Sequence, residues 1–514
     1  MGKRVLVIGA GIAGLSAASY LQRNGFDTEI FESHTAPGGL CTAWKRQGYT
    51  FDGCIHWLMG SGPSSNLHEI WKELGAADLQ FIEWDLYSSV RLSDGDNFRL
   101  YTDPSRLEAE MLRLSPEDGQ TARALARQIR RVMRIDMPAA MDKMSFGERF
   151  ALLCRLPAAL PLLRWFKRPV SEFLAPLRGE KLREGFRGLF GESMEDFPAG
   201  ALFMMLGFMA KQSSGYPLGG SLAFARSIEA KYLSLGGKLH YGSRVDEIMV
   251  ENGVAVGLRG AWGEARGDYV ISAADAQDCL ERMLGGKYPH PGLTPSLRAP
   301  LPSGEPQLLR RGTEEGRLVP FPSLIYLGLG LKGDWRSVPH MQTFVLPEPL
   351  ILEDGALTVR RISVRLFSFD PGTAPAGKTA ATVMIETYND GYWMELHEKD
   401  SAAYEAKKAE TARAVIAALD AFLPGLAASV EVVDVATPRS FIRYTNNRHG
   451  SFEGWLPTGS SFGKKIAATL PGLDHFYMIG QWLNPGGGLP PCGIEGRKLA
   501  KRLCSMEGIR FRPE

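Results

Sequence analysis

Apolar residues along this chain change period wherever its glycines fall. The run Arg4–Ile8 reads as a buried strand, passes through Gly9, Gly11 and Gly14, and continues to residue 21 with the spacing of a helix. A second short run, Asp27–Phe31, reads as another strand and stops at Glu32. From about 90 to 212 the pattern is helical. From about 290 to 430 alternation returns in PSLIYLGLGL, MQTFVLP, RRISVRLFSF and KTAATVMIETYN, followed by a predicted helix over 402–423.

The first strand, turn and helix supply the context that a dinucleotide fingerprint requires. Gly9 permits the tight turn, Gly11 lets a pyrophosphate approach the backbone, and Gly14 lets helix and strand pack closely, with the helix N-terminus aimed at negative charge. Glu32 lies about 20 residues on, where a carboxylate accepts from an adenosine ribose hydroxyl and repels a 2′-phosphate. The site expected at this end comprises Gly9, Gly11, Ile12, Ala13, Gly14, Glu32 and Ser33. A second glycine-rich signature, FYMIGQWLNPGGGLPPCGIEGRKLA, occupies 476–500. One signature alone points to a nucleotide; the pair points to FAD.

The loop after the second strand, PGGLCTAWKRQGYTFDGCIHWLMG, resembles that of flavoproteins of the phytoene desaturase, carotenoid isomerase and retinol saturase family. The stretches 215–260, 267–277 and 480–496 are similar to further parts of that family, so the resemblance runs nearly end to end. It implies that Gly38, Gly39 and Leu40 border the pyrophosphate and ribityl chain and that His56 comes near the flavin as a catalytic candidate. It also implies that the Val245 backbone meets the adenine and that Ala273 lies beside the cofactor. Gly480, Gln481, Gly488, Leu489 and Pro490 would cross the flavin and direct a helix N-terminus at its pyrimidine edge. Gln481 stands where many members carry an acid. Tyr444, beside Arg443, would line the substrate pocket.

The order of these stretches predicts an α/β fold: a discontinuous Rossmann-type FAD-binding domain, glutathione-reductase-like, with an interleaved α+β substrate domain and a helical, membrane-contacting insert. The expected segments are 1–88, 213–288 and 436–514 for FAD, 89–212 for the helical insert and 289–435 for the substrate domain. A second literal GxGxxG at Gly328, Gly330 and Gly333 is followed by Asp334 and Trp335 rather than a helix, so it reads as a strand and turn, not an NAD site.

Of 514 residues, 44% are hydrophobic and 23% charged, with a net charge of +2, which gives no basis for a nucleic-acid partner. Lys3 and Arg4 before an apolar run imitate a signal peptide, but the three glycines inside the run read as strand and helix. Six cysteines lack the CxxC or CxxxxC spacing of a flavin-linked disulfide, and no cluster has metal-ligand spacing. Cys41 and Cys54 fall near the flavin by their place in the loop. FALLCRLPAALPLLRWFKRPV, at 150–170, is too broken to span a bilayer and suits a surface anchor, with Trp165 and Phe166 beside Lys167 and Arg168 at a headgroup boundary. The arginine row Arg123, Arg127, Arg130, Arg131 and Arg134 reads first as a solvated face and second as a contact for anionic lipid. Met205, in ALFMMLGFMAK, suits either an ordinary core or the wall of an apolar tunnel.

These features predict a cytoplasmic FAD-dependent oxidoreductase, peripheral on the inner membrane face. It would desaturate or saturate C–C bonds of a long apolar carotenoid, retinoid or other isoprenoid, because flavin N5 exchanges hydride while the protein orients the reacting carbon. The electron donor or acceptor, whether oxygen, a quinone or a protein, is left open. So are a redox-neutral polyene isomerase using reduced FAD, a flavin amine oxidase, a non-catalytic lipid-binding flavoprotein and a partner-dependent subunit.

Overall fold

A computed structural model of the chain describes residues 2–134, 162–190, 196–299 and 317–514. Its nucleotide-binding sheet has five parallel strands in the order Lys238–His240, β2 (Asp27–Phe31), β1 (Arg4–Ile8), Tyr269–Ser272 and Phe476–Met478. Both faces of this sheet are covered, which is why its strands read as nearly continuous apolar runs rather than alternating ones. One sheet thus gathers strands from three distant stretches of sequence.

Helix α1 (Ile12–Arg23) packs beside the helices Gly220–Ser234 and Leu489–Met506. Close approach is set by glycine: a Cβ on Gly496 would lie 2.5 Å from the Ala17 amide nitrogen. Ser16 Oγ donates to the Gly493 carbonyl at 2.8 Å across the same contact. Nearby, Arg497 Nε meets Glu73 Oε2 at 2.8 Å, and Tyr20 donates to that oxygen at 2.6 Å, all out of water.

The second body is a seven-stranded sheet in the order Val430–Ala436, Ser323–Lys332, Lys378–Thr387, Leu357–Leu366, Met341–Leu352, Leu86–Arg91 and Asn97–Tyr101. The helix Ser401–Asp420, expected over 402–423, covers one face through Tyr404, Val415 and Leu419; Asp400 caps it by accepting from the Ala402 and Ala403 amides.

The expectation that the helical insert begins at 89 needs correction. Residues 86–101 form a hairpin whose first strand pairs in parallel with Met341–Leu352, and SDGDN supplies its turn. Helices begin at Pro104, where Asp103 caps Pro104–Leu114 by accepting from the Ser105 and Arg106 amides. The second glycine triplet lies as expected in a strand and turn. Cβ atoms on Gly328 and Gly330 would fall within 2.5 Å of the Phe51 ring and 2.6 Å of the Tyr49 ring, so these glycines make room for aromatics of strand β4 (Tyr49–Asp52).

The proposed anchor at 150–170 lies outside the described residues up to 161. Of its described residues, Trp165 packs edge-on against Phe173 and Phe203 and Phe166 stacks on Phe462 at 4.7 Å, both rings being partly buried. No helix among the described residues is long and apolar enough to cross a membrane.

Candidate active site

The glycine loop and the uncapped start of α1 form one wall of the site. Gly11 is the N-cap and receives no side-chain cap, leaving first-turn amides free for an anion. A Cβ on Gly11 would meet nothing nearer than the Gly38 carbonyl at 4.0 Å, whereas one on Gly14 would lie 2.0 Å from the Gly9 carbonyl oxygen. The first leaves an open cradle; the second seals helix against strand. Ile12 and Ala13 are buried behind them, and Ala273 stands opposite, its amide bonded to the Ile8 carbonyl. Glu32 is buried; its Oε2 accepts from the Ala10 amide at 2.6 Å, and its Oε1 from the His34 amide and the Ser33 hydroxyl.

The loop beyond β2 is tied to this wall. Gly38 donates to the Ala10 carbonyl at 2.9 Å and has φ +107°, a conformation that L side chains rarely adopt, and Gly39 lies against Gly11. The Leu40 carbonyl accepts from Thr42 in the turn that follows. Gly480, with φ +104°, brings the C-terminal signature to Ala13: a Cβ on Gly480 would sit 3.5 Å from the Ala13 Cβ. The chain then passes Gln481 and reaches Gly488, the N-cap of Leu489–Met506, with Pro490 in the first turn. Val245 is buried, and its carbonyl accepts from Arg282 at 3.0 Å. The signatures at the two ends of the chain therefore meet at one place. An open backbone cradle, an uncapped helix start and a buried acid where a ribose belongs fit FAD.

His56 is positioned from Asp52 at the end of β4. The buried Asp52 carboxylate accepts from the Ser221 amide (2.7 Å), the Ser221 hydroxyl (2.5 Å), the Cys54 amide (3.0 Å) and the Tyr216 hydroxyl (3.3 Å). The Ser221 hydroxyl also accepts from the Ile55 amide, and the Ser221 carbonyl accepts from the Cys41 thiol. Burial raises the Asp52 pKa while these hydrogen bonds oppose the rise. The result is a rigid strip that turns Ile55 and His56 into a cavity they share with Trp84, Tyr87, Tyr216, His340, Met341, Arg365, Phe367 and Phe369. Burial, then the nearby charge of Arg365, holds His56 well below the usual histidine range; His340 falls to about 3 from burial and Arg365. Burial lowers Arg365 only to about 10, so it remains a cation beside two neutral imidazoles.

Sequence reasoning missed Arg365, His340 and Glu453. Glu453 lies against the backbone of the C-terminal signature: a Cβ on Gly487 would be 2.6 Å from its Cγ, and one on Gly488 3.2 Å from its Oε1. Burial raises its carboxyl to about 8. Burial also takes Cys492, which feels the charges of Glu453 and Cys54, to about 12, and burial lifts the Cys41 thiol well above its ordinary range. The described cysteines are all free thiols, and no metal-binding cluster occurs among the described residues.

Two expected pocket residues lie elsewhere. Tyr444 is 49% exposed on the helix Pro438–Thr445, its ring edge-on to His34 just beyond Glu32, which corrects its assignment to a substrate pocket. Met205 is partly buried in the helical layer and does not line the His56 cavity.

A parallel dinucleotide-binding sheet closed by a C-terminal glycine signature defines a flavoprotein of the two-body type. The model of the flavin-containing amine oxidoreductase family matches residues 12–504. The chain belongs to that family and is an FAD-dependent oxidoreductase. It is 25% identical to the 4,4'-diapophytoene desaturase (4,4'-diapolycopene-forming) of Methylomonas sp, over 99% of this chain and 97% of that one. It is 24% identical to the chloroplastic prolycopene isomerase of Daucus carota, over 98% of this chain and 80% of that one. Among solved structures, an oxidoreductase from Methanosarcina mazei has a TM-score of 0.60 at 17% identity, covering 97% of this chain and 100% of that one. Putrescine oxidase bound to putrescine has a TM-score of 0.56 at 14% identity, covering 98% and 99%, which extends the likeness of fold to an amine oxidase.

Proposed function

We propose that the protein desaturates a long apolar isoprenoid of the carotenoid class. The observation that carries this reading is its end-to-end similarity to carotenoid desaturases. When bound, FAD supplies the hydride acceptor or donor. The chain's own part is to bind, orient and exclude water. Tyr87, Tyr216, Phe367 and Phe369 ring the small His56 cavity, where they keep water from one end of the substrate. The first-turn amides of α1 and the loop Gly38–Leu40 hold the cofactor, and Glu32 holds its ribose.

Desaturation also releases a proton. His56 is a poor acceptor, because burial and Arg365 hold its imidazole neutral. Glu453 is better suited: with a carboxyl near pH 8, its Oε atoms take a proton as carboxylate in alkaline solution and give one as carboxylic acid in neutral solution. The isomerase relatives favour a second reading, redox-neutral isomerisation of a polyene. Peripheral membrane contact would serve so apolar a substrate, and the exposed Arg123, Arg127 and Arg134 supply cations for it; flotation with anionic liposomes tests that contact.

An anaerobic visible spectrum of the purified protein, titrated with carotenoids and retinoids, tests the main reading. Bleaching of the oxidised flavin band by one polyene supports desaturation. A shifted polyene band with unchanged flavin supports isomerisation, and no response to any polyene overturns both.

A further inference from the structure

Three buried nitrogens line the His56 cavity without a hydrogen-bond partner among the described residues: His56 Nε2, Trp84 Nε1 and Arg365 Nη1. Folded proteins leave few such atoms, and three converging on one cavity describe a site built for a ligand. Trp84 Nε1 and Arg365 Nη1 can only donate, so the missing partner is an acceptor. Asp52 does not fill that role, since four donors already surround its carboxylate.

The indole is held in place to wait for this acceptor. Trp84 stacks on His340 at 3.6 Å between ring centroids and meets Phe369 edge-on at 4.7 Å. Arg365 is fixed by its strand, in register with Met341 on one side and Thr382 on the other. The space open to a water-sized group is about 20 Å³, which fits an oxygen-sized group and not a hydrocarbon chain.

We infer that this cavity binds a carbonyl or carboxylate oxygen at one end of the isoprenoid, with Arg365 and Trp84 as its donors, so that the preferred substrate is an oxygenated polyene rather than a plain hydrocarbon. The inference rests on the reading that the substrate is an isoprenoid, whose oxygen alone enters this cavity. Anchoring one end fixes which carbon–carbon bond reaches the reacting position, so the donors select the site of reaction as well as the substrate.

The test compares three probes that share one C20 skeleton: retinal, retinoic acid and the hydrocarbon axerophthene. Each is titrated into the FAD-loaded protein, and binding is read by quenching of tryptophan fluorescence and by the shift of the polyene band. The wild type should bind retinal or retinoic acid about tenfold or more tightly than the hydrocarbon, the scale of a hydrogen bond to a charged group. R365M should abolish that preference while keeping hydrocarbon affinity and FAD content. W84F, which removes one donor and keeps an aromatic ring, should reduce it. If R365M does not fold, the wild-type preference and W84F still decide the matter. Equal binding of the three probes by the wild type overturns the oxygen site and leaves the polyene reading standing. A preference that survives both variants means that the donors hold water instead, and also overturns it. Failure of all three to bind overturns this inference, and the carotenoid titration described above then decides separately whether the polyene reading stands.

Discussion

Replacing Glu453 with glutamine tests the claim that this carboxyl holds its proton in neutral solution. Burial moves it from 4.5 to about 8. Between those values the unfolded chain has released the proton and the folded chain has kept it, so the folded state binds more protons and stability falls as pH rises. At pH 7 the interval is 2.5 units, which at about 1.36 kcal/mol per unit places an upper limit of about 3 kcal/mol on the penalty. The unfolding entropy of a 514-residue chain, at about 2.1 cal/mol/K per residue, converts this to a Tm difference of about 3 °C, and solvent at the half-buried side chain reduces it to about 1–3 °C. Glu453→Gln has no proton to lose, so the apoprotein variant should melt above the wild type by a margin that is absent near pH 4.5 and grows until pH 8. Melting curves by circular dichroism across that range check this. In the FAD-loaded enzyme, the rate of flavin reduction by substrate should rise through an ionisation near pH 8 that the variant lacks. A Tm difference independent of pH, together with an unchanged rate profile, would refute the assignment of the buried proton to Glu453.

Two glycine substitutions separate the true fingerprint from its imitation. Gly14→Ala drives a Cβ to 2.0 Å from the Gly9 carbonyl and should strip FAD from the protein, read as flavin absorbance per chain after gel filtration. Gly328→Ala presses on the Phe51 ring at 2.5 Å and should cost about 1–3 kcal/mol in chemical denaturation while FAD content per folded chain is kept. Arg497→Met leaves Glu73 buried without its cation and should destabilise the fold by about 3–5 kcal/mol in the same assay, with Glu73→Gln added to it restoring much of the loss.

The nucleotide site was legible in the sequence because its requirements are local. A strand, three glycines at fixed offsets and a helix are constraints of backbone geometry, and geometry of that kind admits few residue types. Four central strands of the seven-stranded sheet were legible through their period; the edge strand Val430–Ala436 was not read, and at 86–101 a short hairpin with a DG turn adjoins a long helical stretch and was absorbed into it. Arg365 was hidden by the same alternation that revealed its strand. In Leu357–Leu366, Ile362, Val364 and Leu366 are buried in the core beneath the helix Ser401–Asp420, and the intervening Arg361, Ser363 and Arg365 fall on the other face. A period of two assigns that face to water. Here the His56 strip and Trp84 cover the sheet at Arg365, and both come from sequence about 270 residues or more away. Covering by remote segments leaves no trace in local periodicity, so alternation alone does not tell a covered guanidinium from one at the surface. Glu453 was missed for a related reason: SFEGW carries no motif, and its significance comes from Gly487 and Gly488 lying against it. The cofactor half of such a protein is written in spacing, whereas the substrate half is written in which remote pieces meet. If the oxygen site proposed above holds, substrate choice turns on the face of the second sheet that alternation alone would have left to solvent.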